Sequence, residues 1–311
     1  MAGLLNVSSN PHIRSKLSTS SIMLLVVISL LPATGYGIFH FGVSALVLVC
    51  VTTISALVFE FLFNVITKRT NTLYDFSAVV TGLLLSLNLP PKAPWWIGVV
   101  GAFFSIVVVK MLFGGLGQNF MNPALGGRCF LLISFTSIMT DFDTDTLSGA
   151  TPLVSLEAGE SVDLISLLTG NTMGTIGETS AICLLIGAAF LIFTGIIDLI
   201  IPGLYLLSFF IFMGLFGERG FDMTFLLAHL VSGGLLLGAF FMATGYVTRP
   251  ITKAGQCIYG VFLGLLTAVF RTFSPSAEGV SYAIIIGNLI VPLIDKVTRP
   301  GFFGKGALKG E

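Results

Sequence analysis

Three groups of residues in this chain have types and spacing that could do chemistry. The first is the string Asp145-Thr146-Leu147-Ser148-Gly149-Ala150-Thr151-Pro152-Leu153. Ser148 and Thr151 offer hydroxyls, and Gly149 and Ala150 leave room beside them for a modifying enzyme or a bulky group. A threonine used as an acceptor in this way must be exposed. The same residues are ordinary turn formers, so the string alone also reads as a plain loop. The second group lies in Phe113-Gly114-Gly115-Leu116-Gly117-Gln118-Asn119-Phe120-Met121-Asn122-Pro123-Ala124. Asn119 and Asn122 are three apart beside a helix start, so their amides face one way and could hydrogen-bond a planar polar ligand. A flexible inter-helix turn is the alternative, and with no strand before it the run is not a dinucleotide fingerprint. The third group is Glu60, Asp75, Lys110, Arg128, Glu178, Asp198, His229 and Asp295, ionisable residues within or at the edges of apolar stretches. Such groups are costly in hydrocarbon and are usually functional or paired. Asp75, Asp198 and Asp295 sit at edges, where snorkelling explains them. Glu60, Arg128 and His229 are deeper, and a packing role for His229 stays open. Glu60 and Glu178 are the carboxylates to consider for an ion pathway, although structural pairing would account for them too.

These residues need a membrane scaffold. Of 311 residues, 55% are hydrophobic and 10% charged, against about a quarter charged in soluble domains. The 36 glycines suit closely packed membrane helices. Net charge is zero, which gives no reason to expect a nucleic-acid partner. Cys50, Cys129, Cys183 and Cys257 form no CxxC pair and sit in or beside apolar runs, where cysteine behaves as a small hydrophobe. No His, Cys and carboxylate cluster has metal-ligand spacing.

The expected fold is an all-α polytopic membrane protein with about ten transmembrane segments. They fall at 20–39, 43–66, 76–90, 95–113, 121–140, 178–197, 199–217, 222–245, 255–273 and 279–295. The third is short, ends at Pro90-Pro91 and reads as broken or re-entrant. The expected division is a cytoplasmic tail (1–19), a first membrane half (20–140), an outward loop (141–177), a second half (178–295) and a cytoplasmic tail (296–311). With the N-terminus inside, inner segments collect eleven Lys and Arg residues and outer loops collect three: Lys92, Arg219 and Arg271. This supports both termini inside. The 141–177 loop then lies outside, with six acidic residues and no Lys or Arg. Thr81-Gly82 recurs as Thr244-Gly245, and Gly101 matches Gly264 at the same offset, which fits two five-helix repeats.

With these motifs in view, the chain resembles the D subunits of Rnf complexes and, more distantly, the B subunits of Na+-translocating NADH:quinone oxidoreductases. The resemblance runs through Asn10-Pro11-His12-Ile13-Arg14, Thr81-Gly82-Leu83-Leu84-Leu85 with Leu89-Pro90-Pro91, and the 113–124 run. It continues through Ser148-Gly149-Ala150-Thr151, Gly177-Glu178-Thr179-Ser180, His229-Leu230-Val231-Ser232-Gly233-Gly234, Phe240-Phe241-Met242-Ala243-Thr244 and Glu278-Gly279-Val280-Ser281-Tyr282-Ala283. Asp-x-x-Ser-Gly-Ala-Thr looks like the acceptor motif on which a flavin transferase joins FMN through its phosphate to the threonine hydroxyl. The resemblance implies covalent FMN on Thr151, with Asp145, Ser148, Gly149 and Ala150 forming the motif around it. It also implies a noncovalent riboflavin contacted by Asn119 and Asn122. The complex implied is a bacterial inner-membrane translocase passing electrons between ferredoxin and NAD+, coupled to Na+ or H+ movement. Its partners are the other Rnf subunits, the flavin transferase and membrane lipid. With one flavin expected near each face of a hydrocarbon layer about 30 Å thick, intermediate centres in partner subunits are expected between them.

The chain departs from the pattern where an acidic residue is usual, at Gly245, and where a small one is common, at Arg249. Both departures count against a cation-pathway role for that loop. About 20 residues precede the first apolar segment, whereas the quinone-reductase B subunits carry a longer extension. That favours the Rnf type. The alternatives are a quinone-reductase B-like protein and a flavin-free channel or solute transporter.

Overall fold

The computed structural model describes residues 17–142, 151–157, 163–217, 219–273 and 279–299. Every regular element among them is helical. The first half holds α1 (Thr19–Phe41), α2 (Val43–Ile66), a 3-10 turn at Leu73–Asp75, and α3 (Ser77–Leu87). Next come α4 (Trp95–Phe103), continued by a π-helical segment at Phe104–Met111, then α5 (Pro123–Ser134) and α6 (Thr136–Met139). The connecting loop carries α7 (Pro152–Glu157) and α8 (Leu164–Thr169). The second half holds α9 (Ala181–Phe193), α10 (Ile200–Phe216), α11 (Met223–Val231) and α12 (Leu235–Leu237), the last running into a π-helical segment at Gly238–Met242. It ends with α13 (Lys253–Phe273) and α14 (Gly279–Thr298).

All ten expected apolar segments hold helix, but they differ in reach. Helices α1, α2, α13 and α14 are long and apolar enough to cross a membrane. Helix α11 and the stretch Leu235–Met242 pass that test only together, bent by 61° at their break. The others are shorter: α3 has 11 residues and α5 has 12, roughly 16–18 Å at 1.5 Å per residue. Phe39, Phe193 and Val297 are almost fully exposed, as befits a surface that meets hydrocarbon rather than water.

A broken helix inside a membrane needs its free backbone groups satisfied by protein. The chain does this at the end of α3. Gly177 N–H donates to the Leu87 carbonyl at 2.8 Å, and Ile176 N–H donates to the Leu89 carbonyl at 3.1 Å. Only glycine fits at 177, because a Cβ there would sit 2.6 Å from the Leu87 Cβ. Leu83, Leu84, Leu85, Leu87 and Leu89 are all buried, so α3 is wrapped by neighbouring helices rather than by lipid.

The two halves repeat an order. In each, the third element is short or broken, and the second packs on the fourth: α2 on α4 and α10 on α13. The two first helices, α1 and α9, pack on each other, and α5 meets α14. Glycine makes the close approach in each half, Gly98 against Thr52 and Gly264 against Ser208. The sequence pairing of Gly101 with Gly264 is therefore one turn out. Gly101 faces Leu131 and Leu85 instead.

Candidate functional site

Two recesses lie beside the short and broken elements. The first has a cavity volume of about 120 Å³. Its wall is mostly apolar, with Met23 and Val26 from α1, Leu84 from α3, Leu191 from α9 and Phe241 from the second π segment. Its polar groups include Ser77, Thr81, Lys110, Asn119, Asn122, Thr244, Tyr246 and Thr248. Both asparagines singled out in the sequence thus reach one cavity, but they do different work. Asn122 is the N-cap of α5: its Oδ1 accepts from Ala124 N–H at 3.0 Å and its Nδ2 donates to the Met242 carbonyl at 3.3 Å. Pro123 follows at the first helical position, where its missing N–H costs nothing. Asn119 Nδ2 donates to the Met121 carbonyl at 3.0 Å. Asn119 Oδ1 is buried with no hydrogen bond among the described residues, so it is an acceptor available to a ligand.

Behind this recess runs a buried polar chain. Lys110, on the first π segment, donates to Glu60 Oε2 and to Ser77 Oγ, each at 2.6 Å. Ser77 Oγ donates in turn to Asp75. Glu60 Oε1 accepts from Thr72 Oγ1 at 2.6 Å, and Thr72 accepts from Asn64 Nδ2 at 3.0 Å. Glu60 is 0% exposed and Lys110 is 2% exposed. Two charges this deep are tolerable only as a hydrogen-bonded pair. Lys110 is thus no loop cation of the kind the orientation count assumed.

The second recess, of about 40 Å³, is lined by Thr151, Leu153, Arg128, Glu178, Met173 and Ser232 among others. Arg128, from α5, is buried and donates to Asn88 Oδ1 just beyond α3, while its Nη1 lies 3.4 Å from Glu178 Oε1. The Gly233-Gly234 break between α11 and α12 forms one wall. Both glycines have left-handed backbones, φ +65 and +67, which disfavour any other residue. A side chain at 233 would overlap Leu153, and one at 234 would overlap Glu178. The broken helix is therefore a seat for α7, the helix that follows Thr151. Arg271 satisfies the carbonyls freed at this break, donating to His229, Ser232 and Gly233. Its burial at 4% exposure corrects its placement in an outer loop. Without Lys110 and Arg271 the eleven-against-three count becomes ten against two.

The structure differs from expectation at Thr151 itself. The hydroxyl is buried and makes no hydrogen bond among the described residues, whereas an acceptor was expected to be exposed. Pro152 starts α7 directly after it, and Leu153 docks on Gly233, which draws the hydroxyl inward. Asp145, Ser148, Gly149 and Ala150 lie outside the described residues. Glu60 and Glu178, considered for an ion pathway, each face a basic group, Lys110 and Arg128. Both recesses abut α5. Asn122 and Arg128 are six residues apart on it, roughly 9 Å along its axis. Sequence reading missed Asn88, Ser77 and Thr248 as lining or supporting residues. For Asn88 the available signal was a polar residue ahead of Pro90-Pro91; Ser77 and Thr248 carry none.

Helices with exposed apolar sides, packed around two recesses beside short and broken elements, define a polytopic membrane protein. The chain belongs to the NQR2, RnfD, RnfE family, whose model matches residues 6–304. It is 48% identical to the D subunit of the Na(+)-translocating ferredoxin:NAD(+) oxidoreductase complex of Acetobacterium woodii, over 99% of this chain and 98% of the relative. It is 37% identical to the D subunit of the proton-translocating ferredoxin:NAD(+) oxidoreductase complex of Clostridium ljungdahlii, over 97% and 96% respectively. Its identity to the D subunit of the ion-translocating oxidoreductase complex of Actinobacillus succinogenes is 34%, over 97% and 99%.

Proposed function

We propose that this chain is the D-type membrane subunit of an ion-translocating ferredoxin:NAD+ oxidoreductase. In this reading FMN is held covalently through its phosphate on Thr151, and riboflavin is held noncovalently between the halves. Flavins supply one- and two-electron chemistry; the protein holds and orients them. The observation that carries the reading is the Thr151 hydroxyl, buried, unpartnered among the described residues and sharing its recess with Arg128. In the first recess Asn119 Oδ1 is an acceptor for the edge of an isoalloxazine ring, and the apolar wall suits its faces. The ten-against-two distribution of basic residues supports both termini on the cytoplasmic side of a bacterial inner membrane, with the Thr151 loop outside. The ion is Na+ or H+, and the names of the relatives divide between them. Glu60 or Glu178 would take part in its path only by exchanging the basic partner each now faces. Other subunits of the complex cover part of the apolar surface and lipid covers the rest. Because the hydroxyl is enclosed, the flavin transferase acts before α7 docks on Gly233-Gly234.

The test is a denaturing gel under ultraviolet light, with the chain co-expressed with a flavin transferase. We expect a fluorescent band that disappears in Thr151→Val and persists in Thr151→Ser. A Val variant as fluorescent as the wild type removes Thr151 as the acceptor.

A further inference from the structure

An open groove lies where α14 ends. Its lining includes Arg249 and Ile251 from the loop before α13, and Asp295, Lys296 and Arg299 from the end of α14. Hydrogen bonds fix that loop to the helix end. Ile251 N–H donates to Asp295 Oδ1 at 3.0 Å, and the Thr252 and Thr298 hydroxyls bond at 2.7 Å. From α13, Gln256 Nε2 donates to the Pro250 carbonyl at 3.1 Å. Arg249 lies over the Tyr246 ring, 4.6 Å from its centroid, and the Tyr246 hydroxyl donates to the Ile196 carbonyl. None of Arg249, Lys296 and Arg299 forms an ion pair among the described residues. Among the described residues that line the groove, three cations therefore face one carboxylate, Asp295, whose Oδ1 is already engaged. A helix C-terminus alone favours Lys296 and Arg299, but it does not account for Arg249, which a different element brings to them. Along α14, Leu289, Leu293 and Val297 are exposed at i, i+4 and i+8, one apolar strip on a helix long enough to cross a membrane.

We propose that this groove seats the headgroup of an acidic phospholipid. Arg249, Lys296 and Arg299 take the nonbridging oxygens of its phosphodiester, and an acyl chain lies along Leu289, Leu293 and Val297. An arginine stacked on an aromatic face keeps the edge of its fork free for a phosphate. Basic clusters at the ends of membrane helices attract acidic lipids in this way. A soluble phosphate would satisfy the same cations, but it would leave the apolar strip beside them unused, whereas a lipid uses both. The proposal stands on α14 as a membrane span and is independent of the flavins.

The experiment uses the purified complex in phosphatidylcholine nanodiscs carrying increasing fractions of phosphatidylglycerol with a photoreactive group beside its phosphate. After illumination the labelled peptides are mapped by mass spectrometry. We expect label on 246–252 and 291–299. Unlabelled phosphatidylglycerol should displace it, while added phosphatidylcholine and millimolar inorganic phosphate should not. Lys296→Gln should raise the fraction needed for half-labelling roughly fivefold, the scale of one basic residue near an acidic lipid. Neutralising Arg249, Lys296 and Arg299 together should raise it on the order of a hundredfold by the same scale. Lys68→Gln, an exposed cation that does not line the groove, should change nothing. Wild-type protein with no label on either segment overturns the proposal, as does phosphatidylcholine competing as well as phosphatidylglycerol. Displacement by inorganic phosphate also overturns it and makes the groove a site for a soluble anion. Should the triple variant fail to assemble, Lys296→Gln decides, because its side chain is exposed: half-labelling at the wild-type fraction overturns the proposal, and the fivefold shift supports it.

Discussion

Asn119 and Asn122 show how residues of one type, three apart, carry different burdens. Asn122 caps α5 and ties it to the second half through the Met242 carbonyl. Substituting it would disturb the fold as well as any ligand. Asn119 uses only its Nδ2 internally and leaves Oδ1 without a partner among the described residues. Asn119→Leu should therefore lower noncovalent flavin affinity roughly three- to tenfold, the span of a neutral hydrogen bond. It should leave the covalent band unchanged. Acid extraction of flavin, set against in-gel fluorescence of the same preparation, measures both. Unchanged extracted flavin would take Asn119 out of the site. The asparagine pair and the hydroxyl were legible in the sequence, because polar residues stand out in an apolar chain. The partner of each was not, since Lys110 with Glu60 and Arg128 with Asn88 join residues 50 and 40 apart. Nothing local in the sequence encodes those pairings.

Helix breaks are the informative elements. Pro90-Pro91 after a short apolar run announces the end of α3, and the structure places that end in a wrapped, backbone-satisfied turn. The break at Gly233-Gly234 was not foreseen as a break, because 222–245 reads as one continuous apolar stretch. The signal available was a pair of glycines next to Ser232. Within the loop, α8 is capped at its start by Asp163 and at its end by Gly170. Asp163 accepts from Ser166 Oγ at 2.8 Å and from the Ile165 and Ser166 amides at 3.2 and 3.3 Å. The Ser166 hydroxyl first, then the Ile165 amide, hold the Asp163 carboxyl below its ordinary value of 3.8. A depressed carboxyl stabilises the fold above its unfolded value and loses that contribution as pH falls through its folded one. Hydrogen-exchange protection of α8, corrected for the intrinsic rate, should hold from neutral pH to about 3.8 and fall only below it. Asp163→Ala should show lower protection that does not vary over that range. Protection that begins to fall well above 3.8 contradicts this account of the cap.

At the scale of the whole molecule, the first recess belongs to neither half alone. Met23, Val26 and Asn122 come from one half, and Leu191, Phe241 and Thr244 from the other. What holds the halves at this distance is the α1–α9 seam, where Gly187 faces the Ser29 carbonyl so closely that any Cβ would overlap it. In a bilayer no hydrophobic effect pulls helices together, and close packing at small residues does the work. Gly187 lies one turn before Leu191 on α9, so a side chain there pushes the recess wall as well as the seam. Gly187→Leu should cost about 1–3 kcal/mol, the usual toll of overpacking, and should strip the noncovalent flavin. The covalent band should survive, because the Thr151 recess rests on α5, α7 and the Gly233-Gly234 break instead. Gly203→Leu on α10 is the matched control, since a Cβ there meets nothing within 4 Å. It should leave thermal midpoint and both flavins as they are. A thermal scan and extracted-flavin assay on the two variants decide the matter. If Gly187→Leu keeps its noncovalent flavin at an unchanged midpoint, the recess does not depend on the seam.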